Sequence, residues 1–327
     1  MSVSIQKLSG IAFLAFPEQT ELLLSELKSR FDFSQLPSNR YGELLYFDDK
    51  AAFLEKSKGQ YPYWARTTMC NPVELHFDYI GEAAGELKKI QRNWAPYQFT
   101  CFRRAQLIQD KLPYINLKDR KFPVKIPATP MGLYTLLDEH TMIFSAETTS
   151  FLPAGALPFV EDHENPPSRA YLKIQESLSM FQLNYGAELP CEGQKCFEAG
   201  ACPGGWTWVL VGLGAQVHAV DRAELVPELM KNPLVKFQAH DAFTLKPEDI
   251  GPVDWVFSDV ICYPERLLSW IHNWMDSGMT KNMICTIKMQ GEINWPLIAE
   301  FSGIKNSKVL HLNYNKHELT WMWKAEE

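Results

Sequence analysis

The stretch FEAGACPGGWTWVLVGLGAQVHAVD (197–221) sets Gly200, Cys202, Pro203, Gly204, Gly205 and Trp206 where an apolar run gives way to a turn, and it closes on Asp221. Glycines at a strand-to-helix turn let a ligand approach the backbone, and the following helix N-terminus offers N–H groups without partners. The order Gly200-Ala-Cys-Pro-Gly204-Gly205 lacks the middle glycine of a GxGxxG fingerprint, which disfavours a dinucleotide. Trp206 stands where a phosphate loop needs lysine, which disfavours a nucleoside triphosphate. The remaining common user of such a turn is S-adenosylmethionine, whose amino-acid end carries a carboxylate and an ammonium but no phosphate. Asp221, ending the second strand, would accept from both ribose hydroxyls, and Asp241 in AHDAF would accept from the adenine amino group. An ordinary tight turn beside two solvated acids is the alternative.

Asp259 in FSDV and Lys288 in TIKM come at or near the C-terminal ends of two further apolar runs. Ligands of open α/β sheets bind outside those ends. A lysine closing a run such as ICTIK is costly unless something pairs with it. Methyltransferases acting on a base nitrogen commonly carry [DN]PP[YFW] after the fourth strand, whereas here Asp259-Val-Ile-Cys-Tyr has no proline pair. Methylation of a base carbon would need a nucleophilic cysteine, and for Cys262 and Cys285 a buried apolar role is the expectation. Oxygen is the favoured acceptor.

The elements that must position these groups alternate regularly after residue 168. KCFEA, AQVHAV, LVKFQA, VDWVFSD and NMICTIK read as buried strands, and GWTWVLVGL, ELVPELM, ERLLSWIHNWM and NWPLIAEFS as helices between them. That alternation predicts a mostly parallel α/β sheet covered on both faces. KVLHLNY and ELTWMWK follow without a crossover helix and predict an antiparallel edge. In the first half, GIAFLAF, GELLYFD and VELHFDYI read as strands and TELLLSELKSRF and EAAGELKKIQRNW as amphipathic helices, an α+β pattern. Between the halves, SFLPAGALPFVEDHENPPSR is proline- and acid-rich. The expected division is 1–150, a linker at 151–167, and 168–327.

EAGACPGGWT resembles the first motif of the FtsJ-type family of ribose 2′-O-methyltransferases, which usually reads DLGAxPGGW. PPSRAYLK, ACPGGWT, WVFSDV, TIKM and HELTWMW follow one another as in its RlmM-type branch, which methylates a cytidine ribose of large-subunit ribosomal RNA. The resemblance covers about residues 150–327 well. It touches the first half through IGEAAGELKKIQRNW and the basic stretch after it. It implies a class I methyltransferase domain, Rossmann-like with a mostly parallel seven-stranded sheet, behind an N-terminal RNA-binding module that is THUMP-like in part. It implies a catalytic tetrad of Lys173, Asp259, Lys288 and Glu318. Lys288 would take the proton, Asp259 would orient it and touch the methionine end of the donor, and Lys173 and Glu318 would position the ribose. S-adenosylmethionine would be the donor, S-adenosylhomocysteine the product, and no metal is expected. Two departures stand out: Glu198 replaces the usual aspartate, and at Ala170, where relatives carry a hydroxyl residue, only a backbone contact to the donor is possible.

The segment FRRAQLIQDKLPYINLKDRKFPVK (102–125) holds seven Lys/Arg against two Asp, with aromatics interleaved. Arg103, Arg104, Lys111, Lys118, Arg120 and Lys121 are therefore candidate RNA contacts, with a solvated basic face as the alternative. Trp64, Trp94 and Trp206 are candidates to stack on bases, although burial is the default. The overall charge of −7 argues mildly against a large nucleic-acid surface. Seven scattered cysteines with no CxxC spacing point away from disulfides and zinc, and to a reducing cytoplasm. No membrane span and no obligate protein partner are expected. The runner-up functions are a non-catalytic RNA-binding protein retaining the fold, and a methyltransferase for another RNA or a small molecule.

Overall fold

The computed structural model describes residues 3–326. The chain forms two compact units. One comprises the described residues up to Arg120 with Ile126–Pro158, the other Lys121–Lys125 with Phe159 onward. The expected linker thus divides at Pro158, and the basic stretch divides at Arg120. Among the described residues no helix is long and apolar enough to cross a membrane.

The first unit holds two sheets. Ile11–Ala15 pairs with Leu44–Phe47 and Ala65–Met69 in a four-stranded sheet whose fourth member, Asn39–Tyr41, lies outside Leu44–Phe47. Ser4–Lys7, Val73–His76, Thr141–Ser145, Gly132–Leu136 and Trp94–Pro96 form a five-stranded sheet in that order. The helix Thr20–Phe31 has the expected bounds. Helix Ile80–Ile90 stops four residues before the expected Trp94. That indole is fully buried and donates from Nε1 to the Leu87 and Gln91 carbonyls, 2.9 and 3.1 Å away, capping the helix instead of extending it.

The second unit opens with helix α1 (Ala170–Tyr185), which stops at the left-handed Gly186. There follow β1 (Lys195–Ala199), α2 (Gly205–Gly212), β2 (Gln216–Asp221), α3 (Pro227–Met230), β3 (Val235–Ala239) and α4 (Pro247–Ile250). Then come β4 (Trp255–Ser258), α5 (Pro264–Ser277), β5 (Asn282–Lys288), α6 (Trp295–Gly303), β6 (Ser307–Leu310) and β7 (Glu318–Lys324). The seven strands lie in the order β3-β2-β1-β4-β5-β7-β6. The first five are mutually parallel, and β7 runs antiparallel to both β5 and β6. This is the class I methyltransferase layout, with the expected antiparallel edge. α3 is shorter than ELVPELM because Pro227 holds Val226 extended and starts the helix itself.

Candidate active site

Gly200 follows β1 directly at φ +81°, and a Cβ there would come within 2.7 Å of Val260 Cγ2 and 3.1 Å of Val260 N. Only glycine lets this turn pass so close to the turn after β4. Gly204 precedes α2 at φ +116°, where a Cβ would lie 2.3 Å from Leu229 Cδ1. Beside the turn lies a cavity of about 330 Å³ lined by Gly200, Cys202, Val220, Asp221, Arg222, His240, Asp241, Ala242, Asp259, Val260, Ile261 and Arg266. Five expected donor-site residues are on its wall: Gly200, Cys202, Asp221, Asp241 and Asp259. Ala170, Pro203, Gly204, Gly205 and Trp206 are not among the lining residues. They shape the turn from behind. Trp206 is 3% exposed and packs edge-on against Phe257, while a Cβ on Gly205 would meet the Ser168 hydroxyl and approach Ala170.

Asp221 accepts from the Cys202 N–H at 3.0 Å and the Ala223 N–H at 3.2 Å, which fixes its carboxylate at the cavity wall. Asp241 is more fully engaged. It accepts from the Phe243 N–H at 3.1 Å and pairs with Arg222 at 2.8 Å and Arg266 at 3.3 Å. Burial alone would raise its carboxyl, but these donors hold it below the usual range. An adenine amino group would therefore meet an acceptor already shared with two arginines. The acceptors Asp221 and Asp241 and the glycine-opened backbone suit a ligand with a nucleoside end, and in that respect the wall fits S-adenosylmethionine.

The four tetrad positions converge. Lys173 comes from the first turn of α1, Asp259 from the turn after β4, Lys288 from the last position of β5 and Glu318 from the first of β7. Lys288 and Glu318 are direct cross-strand neighbours. Lys173 Nζ lies 3.1 and 3.2 Å from the two Asp259 oxygens and pairs with Glu318 Oε1. Lys288 Nζ lies 2.5 Å from Asp259 Oδ1 and 2.8 Å from Glu318 Oε2. Each lysine touches both acids, so the four groups close a neutral ring whose side chains are between 10% and 18% exposed. Burial works against the Lys288 ammonium, but Asp259 and Glu318 outweigh it and raise its pKa above the ordinary lysine value. Burial likewise pushes Asp259 up, and Lys173 and Lys288 overcome this to hold it low. In the free protein Asp259 is therefore held as a carboxylate and Lys288 as an ammonium.

Glu198 lies under the glycine turn. Burial, only partly offset by the 2.6 Å hydrogen bond from Thr207, pushes its carboxyl up to about 8. Cys262 and Cys285 are buried, and burial raises Cys262 to about 11 and Cys285 well above the usual thiol range. Neither is a thiolate nucleophile near neutrality. Trp64, Trp94 and Trp206 are all core residues, so none presents a face to a base.

The basic candidates divide by surroundings. Arg104 donates to the Asp78 carbonyl at 2.9 Å and lies over the Phe77 ring, and Arg120 donates to the Asn116 carbonyl at 2.5 Å. These two are bound into the first unit. Arg103, Lys111 and Lys118 are exposed in that unit, and Lys121 is exposed in the second.

Residues 166–291 match the FtsJ-like methyltransferase family model. The match includes the glycine turn, Lys173, Asp259 and Lys288, and ends before Glu318. Among curated proteins, the chain is similar to Ribosomal RNA large subunit methyltransferase M of Thauera aminoaromatica, 32% identical over 160 residues, or 45% of this chain and 43% of that protein. It is 28% identical over 221 residues to the protein of the same name in Hahella chejuensis, covering 66% of this chain and 52% of that one. The chain thus spans about half the length of the curated relatives it matches. Among solved structures, a Burkholderia thailandensis 1,6-didemethyltoxoflavin-N1-methyltransferase is a distant likeness, with TM-score 0.33 and 16% identity over 48% of this chain and 84% of that one.

The ring makes stability depend on pH in a defined direction. Asp259 is depressed in the folded state, so its contribution is present above the ordinary carboxyl range and lost as pH falls through its folded value. Lys288 is raised, so its contribution is present below the ordinary lysine range and lost as pH rises through its folded value. The ring's own contribution to stability should therefore be full around neutrality and fall away on an acid and an alkaline limb. Asp259→Asn should lower the unfolding free energy near neutrality by up to about 3 kcal/mol, because it strands two partly buried ammoniums on one acid. It should also weaken the acid limb, and an unchanged acid limb would refute the assignment.

Proposed function

We propose that this protein is an S-adenosylmethionine-dependent RNA methyltransferase that modifies a ribose 2′-hydroxyl, with a cytidine of large-subunit ribosomal RNA as the target. The observation that carries this reading is the double membership of Asp259, which lines the nucleoside-sized cavity and belongs to the lysine–carboxylate ring. A donor held in the cavity and a hydroxyl held at the ring are then neighbours. The match to FtsJ-like methyltransferases and the names of the curated relatives support the same reading.

S-adenosylmethionine, when bound, supplies an activated methyl group and leaves as S-adenosylhomocysteine. The residues of this chain do the remaining work. Asp221 holds the ribose hydroxyls, and Asp259 faces the positive end of the donor. Lys173 and Glu318 orient the substrate hydroxyl in line with the methyl group. Lys288 receives the hydroxyl proton at Nζ. It must first give up its own, and a third positive charge arriving beside Asp259, after Lys173 and Lys288, lowers its pKa by competing for that carboxylate. The absence of a proline pair after β4, with both nearby cysteines present as thiols, favours oxygen over base nitrogen or carbon.

Labelled methyl transfer to unmethylated ribosomal RNA, followed by nuclease digestion, tests the reaction. Label should reside on ribose, and Lys288→Ala should reduce turnover by about 10²–10⁴-fold. Label on a base would overturn the tetrad's role.

The exposed basic side chains supply a separate expectation about RNA. Arg103→Ala, Lys111→Ala, Lys118→Ala and Lys121→Ala should each weaken binding to unrelated sequences alike, and each should reduce the salt slope by roughly one. Arg104→Ala should act through stability instead, since its guanidinium is spent on Asp78 and Phe77. Equilibrium binding over a salt series decides, and an unchanged slope in all four variants would remove this stretch from the RNA surface.

A further inference from the structure

A fifth ionisable residue bears on the ring without belonging to it. Glu176 lies three positions after Lys173 on α1, on the same helix face, and is 1% exposed. Its carboxylate accepts from the Asn313 N–H at 3.0 Å, the Asn313 side-chain amide at 2.7 Å and the Tyr314 N–H at 3.1 Å. Burial opposes the charge strongly enough to push this group up to about 7 in spite of three donors. What this buried acid does follows from where its partners lie.

Asn313 and Tyr314 sit in the connection 311–317, which joins β6 to β7 and delivers Glu318. Within that connection, the Tyr314 hydroxyl accepts from the Phe159 N–H at 2.8 Å, and Asn315 donates to Thr320 at 3.0 Å. The segment is tied to α1 through Glu176 and to β7 through Thr320. Lys173 and Glu318 must meet across that gap to close the ring. We propose that Glu176 is a positioning residue: by gripping Asn313 and Tyr314 it sets the distance between α1 and the start of β7, and so holds Glu318 against Lys173 and Lys288. The proposal rests on the methyltransferase reading for what the ring does, but not for how the ring is held.

Glu176→Gln keeps the side chain's size but offers one oxygen to three donors and turns an NH₂ toward an N–H. The direct test is an NMR titration of Lys288 Nζ in the free protein, assigned with Lys288→Arg. In folded Glu176→Gln the titration should move down toward the ordinary lysine value, because Glu318 no longer sits squarely on the ammonium. Asn313→Ala, which removes a single donor, should move it part of the way and decides the matter if Glu176→Gln does not fold. Methyl transfer gives the second readout. A displaced tetrad should lower kcat about 10–100-fold with the donor KM unchanged, and Glu176→Gln should cost little more in a Glu318→Gln background. An unchanged Lys288 titration in the folded variants, or additive losses with Glu318→Gln, would overturn the proposal. A wild-type protein that transfers no methyl group would sink the function instead, and the Lys288 titration would still decide the role of Glu176.

Discussion

Four charged side chains sharing a partly buried site tolerate one another only because positive and negative alternate around a closed ring. Each lysine has two carboxylates within reach and each carboxylate has two lysines. Removing any member leaves an odd charge where water is scarce, which costs far more than an exposed pair would. The same closure keeps Lys288 protonated at rest. On the proposed function, Lys288 must therefore be released electrically before it can accept a proton, and a cationic donor entering beside Asp259 is suited to do that.

The rest of the C-terminal unit can be read as the means of closing that ring. Inserting β7 antiparallel between β5 and β6 puts Glu318 directly opposite Lys288. The parallel strands β1 and β4 end side by side, so Gly200 and Val260 touch and Asp259 leaves its strand at the cavity. Lys173 arrives from α1, an element outside the sheet. Its placement depends on how that helix is fastened to the β6–β7 connection.

Much of this was legible as pattern. The bounds of β1, β5 and β7 follow from their apolar runs, and the glycines mark a turn whose backbone passes close to the turn after β4. Helix α1 was not legible, because its buried face includes Gln175, Glu176, Ser177 and Ser179 along with Leu172, Ile174, Leu178 and Phe181, which blurs the 3.6-residue stripe. Glu176 reads in sequence as a solvated helix acid. Its burial depends on residues some 137 positions away. The arginine partners of Asp241 were missed for a similar reason, since Arg222 follows β2 and Arg266 lies in helix α5. The direction of the Lys288 shift could not be weighed without distances, since burial and two acids pull opposite ways. The basic stretch looked continuous in sequence, yet its members are fixed by local contacts at Arg104 and Arg120 and free in solvent at Arg103, Lys111, Lys118 and Lys121.

On the proposed function, the cavity that would hold the donor and the ring that would take the proton are joined electrostatically at Asp259. The most direct measurement is the pKa of Lys288 by side-chain NMR in the free protein, with saturating S-adenosylmethionine, and with saturating S-adenosylhomocysteine. The sulfonium carries a positive charge that the product's sulfur lacks, so the donor should lower the Lys288 pKa and the product should leave it nearer the free value. If both ligands bind and Lys288 titrates identically in all three states, the cavity and the ring are not coupled, and the account of how the lysine becomes a base is wrong.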